Sequence, residues 1–241
     1  MTIITNPIVT SPTTTNPVST FATVDLYRDI HKGIRAELFA ITTAAGSIDP
    51  GSRIDRAALA DHIVSVAAVL ESHAHHEDVV IDPVLAVHLP ALAEEITMDH
   101  ERLESSFGRI VELACSAVHG SGTDQRHQAQ SLYLDLATFT SAYLAHQDLE
   151  ERAVMAELER RIGVEQVLEL HGAIVGSIPP DEMARSLSFM LPAMNTDDRV
   201  EMLGGMRMAA PPEAFDAVVS LARSVLQPAD YSALADRLGI A

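Results

Sequence analysis

Between Val24 and Gly163 the chain reads as four long segments of helical period, and each carries one histidine within its apolar stripe. No other feature constrains the fold as strongly. A helix that buries an imidazole or a carboxylate needs a partner from another element. The stretch ESHAHHED, residues 71–78, shows the pattern at its densest. Val66, Val69, Leu70 and Val80 fall within about 60° of His73 on a helical wheel, and Glu77 follows on the same stripe one turn later. His75 points to the far side and His76 to the flank, so only His73 and Glu77 aim inward. In the last of the four segments, His146 shares a face with Leu132, Phe139, Ala142 and Ala153, and Glu150 follows four residues later. His100 lies in a stripe of Ala93, Ile96, Leu103, Phe107 and Val111, and His31 is flanked by Tyr27, Ile34 and Leu38.

Punctuation sets the order of the helices. The first starts near Asp25 and ends before AAGSIDPGS (residues 44–52); the second starts at Asp55 and fades at IDP (81–83). A third follows Pro90 and stops at HGSG (119–122), and a fourth runs from near Asp124 to Gly163. Asp before an apolar run and Gly or Pro after it are cap and stop signals. Four such helices with short links predict an all-α protein built on an up-down-up-down four-helix bundle over residues 24–163. Residues 1–23, rich in Thr, Pro and Asn, read as a flexible N-terminal arm. Residues 164–241 read as a helical C-terminal extension, its short helices opened by PPDE, NTDD, PPEA and QPAD. Six of the nine methionines fall between Met183 and Met208, as a pliable core or docking seam against the bundle, or as a surface for a partner or second copy.

The net charge of −18 argues against nucleic acid or an anionic membrane as partner. No apolar run approaches the roughly 20 residues of a membrane span. No Arg or Lys precedes Arg28, so a basic secretory start is absent, and the one cysteine, Cys115, cannot form an internal disulfide. A soluble cytoplasmic protein is the expectation.

One inward histidine is ordinarily a hydrogen-bonded core residue. Four of them with two inward carboxylates are hard to satisfy without a cation. They are too many for one tetrahedral zinc, and imidazole does not suit calcium or magnesium. Two transition ions bridged by carboxylates fit the inventory, and iron or manganese suits the donors. No histidine has a Glu three residues before it, which excludes the Glu-x-x-His pattern of ferritin-type bundles.

The remaining order is His, His-x-x-x-Glu, His, His-x-x-x-Glu. On these residues the chain resembles hemerythrin-like proteins, the family with HHE cation-binding motifs, over roughly residues 24–162. The resemblance implies a non-haem centre of two irons with oxo and carboxylate bridges. Its ligands would be His31, His73, Glu77, His100, His146 and Glu150, with Glu77 and Glu150 bridging. The oxygen carriers of that family have a third-helix His-x-x-x-His, whereas Glu104 stands four residues after His100 here, and their last carboxylate is spaced one residue further from its histidine. The site is one imidazole short, and Glu104, solvent or a tyrosine could complete it. Tyr143 and Tyr27 lie near His146 and His31 on their wheels, placed either to hydrogen-bond an oxidant or simply to fill the core. Glu104, Tyr143 and Tyr27 are therefore the candidate catalytic residues.

An open position favours redox chemistry with small oxidants over reversible oxygen carriage. The chain is similar to actinobacterial members with a helical tail, a group associated with peroxide and nitric oxide. Its expected partners are hydrogen peroxide, nitric oxide and oxygen, with no organic cofactor and with self-association through the extension as an option. The rival expectations are a sensor of oxygen, nitric oxide or iron, and an adaptor bundle with vestigial histidines. His62 reads as a surface or entry residue. His75, His76, His88, His119, His127 and His171 read as surface, and Cys115 as packing.

Overall fold

The computed structural model describes residues 22–122 and 124–240. The expected arm over residues 1–23 lies outside them except for its last two residues. Where that arm meets the bundle, the backbone N–H groups of Thr23 and Val24 donate to Glu159 at 2.6 and 3.0 Å. Every regular element among the described residues is helical: α1 (Arg28–Ser47), α2 (Arg53–Val80), α3 (Asp82–His88), α4 (Pro90–His119), α5 (Asp124–Leu149), a π-helical turn (Glu150–Val154), α6 (Met155–Ser177), α7 (Pro180–Ala193), α8 (Thr196–Ala209), α9 (Pro212–Val225) and α10 (Pro228–Leu238). No helix among them is long and apolar enough to cross a membrane.

Helices α1, α2, α4 and α5 form the bundle, with α1 packed on α2 and α5, and α4 packed on α2 and α5. Asp25, two residues before the N-cap Tyr27, steadies the entry to the first helix, its Oδ1 accepting from the N–H groups of Tyr27 and Arg28 at 3.0 Å each. Ser52 caps α2 by accepting from Asp55 at 3.2 Å, so that helix starts two residues earlier than expected. The first helix also runs on through AAGS, because Tyr133 packs against Gly46 and shields that turn. The IDP signal does end α2, but Pro83 then opens the separate helix α3, which was not among the four expected helices. Gly163 breaks the fourth segment with φ 82°, ψ 161°, and the helix resumes to Ser177.

Two apolar layers lie along the bundle. One contains Ile34, Leu38, Leu70, Leu103, Phe107, Phe139 and Tyr143; the other contains Tyr27, Ile81, Ile96, Val154 and Leu158. Residues such as Ile34, Leu38 and Leu158 are fully buried, each contributing on the order of 1.5–3 kcal/mol relative to exposure. His31, His73, Glu77, His100, His146 and Glu150 fall in sequence between the two layers on their own helices. The polar layer is thus sealed by apolar packing from both ends.

Helices α7–α10 share a core of their own around Leu187, Leu191, Leu203, Phe215, Val218 and Leu234. Met183, Met202 and Met206 pack on that core, Met190 and Met194 are buried, and Met208 is exposed. Met183, Met202 and Met206 thus serve the extension's own core, whereas Met190 lies against Gly33 of α1. Helix α7 lies on α1, where a Cβ at Gly33 would stand 2.6 Å from the Phe189 ring. Charge fixes the docking: Lys32 pairs with Asp198, Arg28 with Glu201 at 3.1 Å, and Glu182 with His76 at 2.7 Å and with Ser72. His76 is thereby a half-buried docking residue, a correction to its reading as surface. Cys115 is exposed and does not serve packing.

Candidate metal centre

Four helices converge on one polar layer. His31 Nε2 lies 3.1 Å from His73 Nε2 and 3.3 Å from Glu150 Oε2. His73 Nε2 lies 3.2 Å from Glu77 Oε1, and the other oxygen, Oε2, is 3.5 Å from His100 Nε2. Glu150 Oε1 faces His146 Nε2 at 3.3 Å and His100 Nε2 at 3.9 Å. Each carboxylate thus turns one oxygen to the pair His31 and His73, and the other to the pair His100 and His146.

The donor set fits cations. Both oxygens of Glu77 and of Glu150, and Nε2 of His100, are buried without a hydrogen-bond partner. Such atoms are costly unless something positive meets them. Two donors each about 2.1 Å from one ion and at right angles to each other stand about 3 Å apart, close to the spacings seen here. Two groups of donor atoms, His31–His73–Glu77 and His100–His146–Glu150, each gather within 4.8 Å. A third, Asp78–Asp82–His100, lies on the solvent side.

The electrostatics follow from burial. Desolvation, then Glu150, pushes the Glu77 carboxyl well above the usual range, while burial and the neighbouring His31 push His73 well below its own. Burial opposes ionisation of Glu150 too, but the imidazoles of His100 and His146 outweigh it and hold the carboxyl well below the usual range. His100 rises to about 11 despite its burial, because Glu150 and Glu77 face it. Burial also raises Tyr27 and Tyr143, with Glu150 and Glu77 adding to it. The ring of Tyr27 stacks on His31 at a centroid distance of 5.1 Å, and that of Tyr143 meets His146 edge-on at 5.7 Å.

Glu104 does not join the centre. It is exposed on α4, where its offset from the apolar stripe turns it to solvent, so it cannot stand in for the missing imidazole. His62 is remote from the layer and pairs with Glu37 at 2.6 Å. His75, His88, His119, His127 and His171 are exposed. Residues behind the imidazoles carry no sequence signal of that role: Glu151 on His31, Asp78 on His100, and Asp99, 3.6 Å from His146. Gln147, next to His146 in the chain, is fully buried as well and is equally unsignalled. For Glu151 a regular helical wheel gave no inward signal, because the π-helical turn shifts its direction.

The fold and the donor set define an all-α bundle protein with a buried histidine–carboxylate centre suited to metal cations. The chain belongs to the hemerythrin family, whose model, described as the hemerythrin HHE cation binding domain, matches residues 22–159. It is similar to "Zinc finger protein BRUTUS" of Arabidopsis thaliana, at 24% identity over 183 residues. That match covers 76% of this chain but spans only 14% of the relative's length. No solved structure matches the chain.

Proposed function

We propose that the layer holds two irons, bridged by Glu77 and Glu150, with His31 and His73 on one and His100 and His146 on the other, and that the protein is an oxidoreductase acting on hydrogen peroxide, nitric oxide or both. The observation that carries the reading is the division of each buried carboxylate between the two imidazole pairs. His31, His73, His100, His146, Glu77 and Glu150 would hold the pair, which in its diferrous state would supply the two electrons that, with two protons, reduce hydrogen peroxide to two waters. Six protein donors shared between two ions would leave room for solvent or a small oxidant. The imidazoles of His73 and His100 are 8% and 10% exposed, against 0% and 2% for His31 and His146, which favours approach from the α2–α4 side. Neutral oxidants suit a chain of net charge −18, which repels anions. Tyr27 and Tyr143, kept protonated by burial, wall the layer and retain their protons for hydrogen bonding.

A sensor without turnover is a second reading, favoured by the docking of α7. Phe189 sits on Gly33, two residues from His31, and Glu182 holds His76, next to Glu77. The test is anaerobic reduction of the iron-loaded protein, then exposure to oxygen or to peroxide. Peroxide consumption, faster with nitric oxide as reductant, supports the enzyme. A spectrum that switches reversibly with oxygen and no loss of peroxide supports the sensor.

A further inference from the structure

Each of the two central glutamates is followed in the chain by a second acid, Glu77 by Asp78 and Glu150 by Glu151. On opposite sides of the centre these second acids do the same thing. Asp78 Oδ1 lies 2.8 Å from Nδ1 of His100, and Glu151 Oε1 lies 2.9 Å from Nδ1 of His31. The helices so served, α4 and α1, are the two that bring a histidine but no carboxylate to the layer. Each His-x-x-x-Glu-acid run therefore reaches inward with its Glu and sideways with the next residue, gripping an imidazole on a neighbouring helix. On α5 a regular helix would carry Glu151 well off the His146 face. The π-helical turn at Glu150–Val154 adds a residue to that turn and lets both glutamates serve the centre.

The two grips differ. Arg35, one turn after His31 on α1, holds both oxygens of Glu151 at 2.7 and 2.9 Å, and the Glu151 side chain is only 23% exposed. Asp78 is 52% exposed, and no Arg or Lys among the described residues pairs with it. A carboxylate on Nδ1 fixes the tautomer that leaves Nε2 free for a metal and makes that nitrogen more basic. A forked Arg contact keeps such a carboxylate in place, whereas an exposed one is screened and exchanges with water.

We propose that Glu151 and Asp78 are positioning residues of the metal centre, and that their inequality makes the His31–His73 position the firmly held one and the His100–His146 position the exchangeable one. This rests on the two-metal reading above. The test challenges the ferrous-loaded protein with excess ferrous chelator and follows release of iron. Wild type is expected to release one ion per chain quickly and the second slowly. Asp78→Asn speeds the fast phase by about 10–100-fold and spares the slow one, and Asp78→Glu restores it. Glu151→Gln speeds the slow phase until the two merge. Arg35→Met, which leaves Glu151 in place without its anchor, moves the slow phase the same way and serves if Glu151→Gln does not fold. Single-phase release of both ions from wild type, or variants that speed both phases alike, would overturn the inequality. Wild type that takes up fewer than two ions before chelator is added would instead overturn the two-metal reading.

Discussion

Replacing Glu77 by Met separates a carboxylate built for a cation from one that only stabilises the fold. Glu77 is 4% exposed, and neither oxygen has a hydrogen-bond partner, with the closest imidazole nitrogens at 3.2 and 3.5 Å. A buried polar group left unsatisfied costs about 1–3 kcal/mol. Met has nearly the same length, so the substitution removes that cost with little change in packing. In the metal-free protein we expect a gain of about 1–2 kcal/mol, or about 2–8 °C in melting temperature for a domain of this size. The gain depends on pH. Burial raises the Glu77 carboxyl, so the folded state keeps a proton that the unfolded chain releases above about pH 4.3. The native penalty therefore grows as pH rises from there toward the folded value, and the advantage of Met grows with it. In iron-loaded samples the sign reverses. Wild type is expected to gain stability from bound metal, whereas Glu77→Met should bind at most one ion and lose most of the metal-dependent increase in melting temperature. Scanning calorimetry with and without iron, at pH 5 and pH 8, reads both arms. A variant less stable than wild type without metal, yet still fully loaded with iron, would refute the reasoning.

Three further outcomes follow from particular contacts. His73→Ala should remove or halve the bound iron while His75→Ala leaves it intact, as metal analysis of the purified variants will show; the opposite result would put the α2 phase in error. Gly33→Val should overpack the α1–α7 contact at Phe189 and cost about 1–3 kcal/mol, lowering the melting temperature by about 2–4 °C per kcal/mol. An unchanged melting curve would mean that α7 does not rest there. Arg56→Met strips the buried donor that meets Ala117 O at 2.8 Å and ties Pro50 to the end of α4, and should cost about 1.5–3 kcal/mol in urea unfolding; a loss below about 0.5 kcal/mol would contradict that role.

The bundle was legible because its signals are local. Apolar spacing gave four helices and their inward faces, and those faces brought His31, His73, His100 and His146 into one layer with Glu77 and Glu150. Elements set by other forces were not legible. IDP reads as a stop whether or not Pro83 opens another helix, so α3 was invisible. Glu104 lay near the stripe on a wheel, but small angular offsets decide exposure at a helix flank, and it faces solvent. His76 looked like surface because its partner, Glu182, lies 106 residues away. Glu151 was hidden by the π-helical turn, a backbone change with no residue signature in EERAV.

The central claim is that the buried layer between the two apolar cores is a site for two irons. It is tested most directly by metal analysis, with an optical spectrum, of protein purified aerobically from iron-supplemented cells. The account predicts close to two irons per chain and near-ultraviolet absorption from an oxo-bridged ferric pair. Stoichiometric zinc alone, or a chain free of metal after iron-supplemented growth, would contradict it.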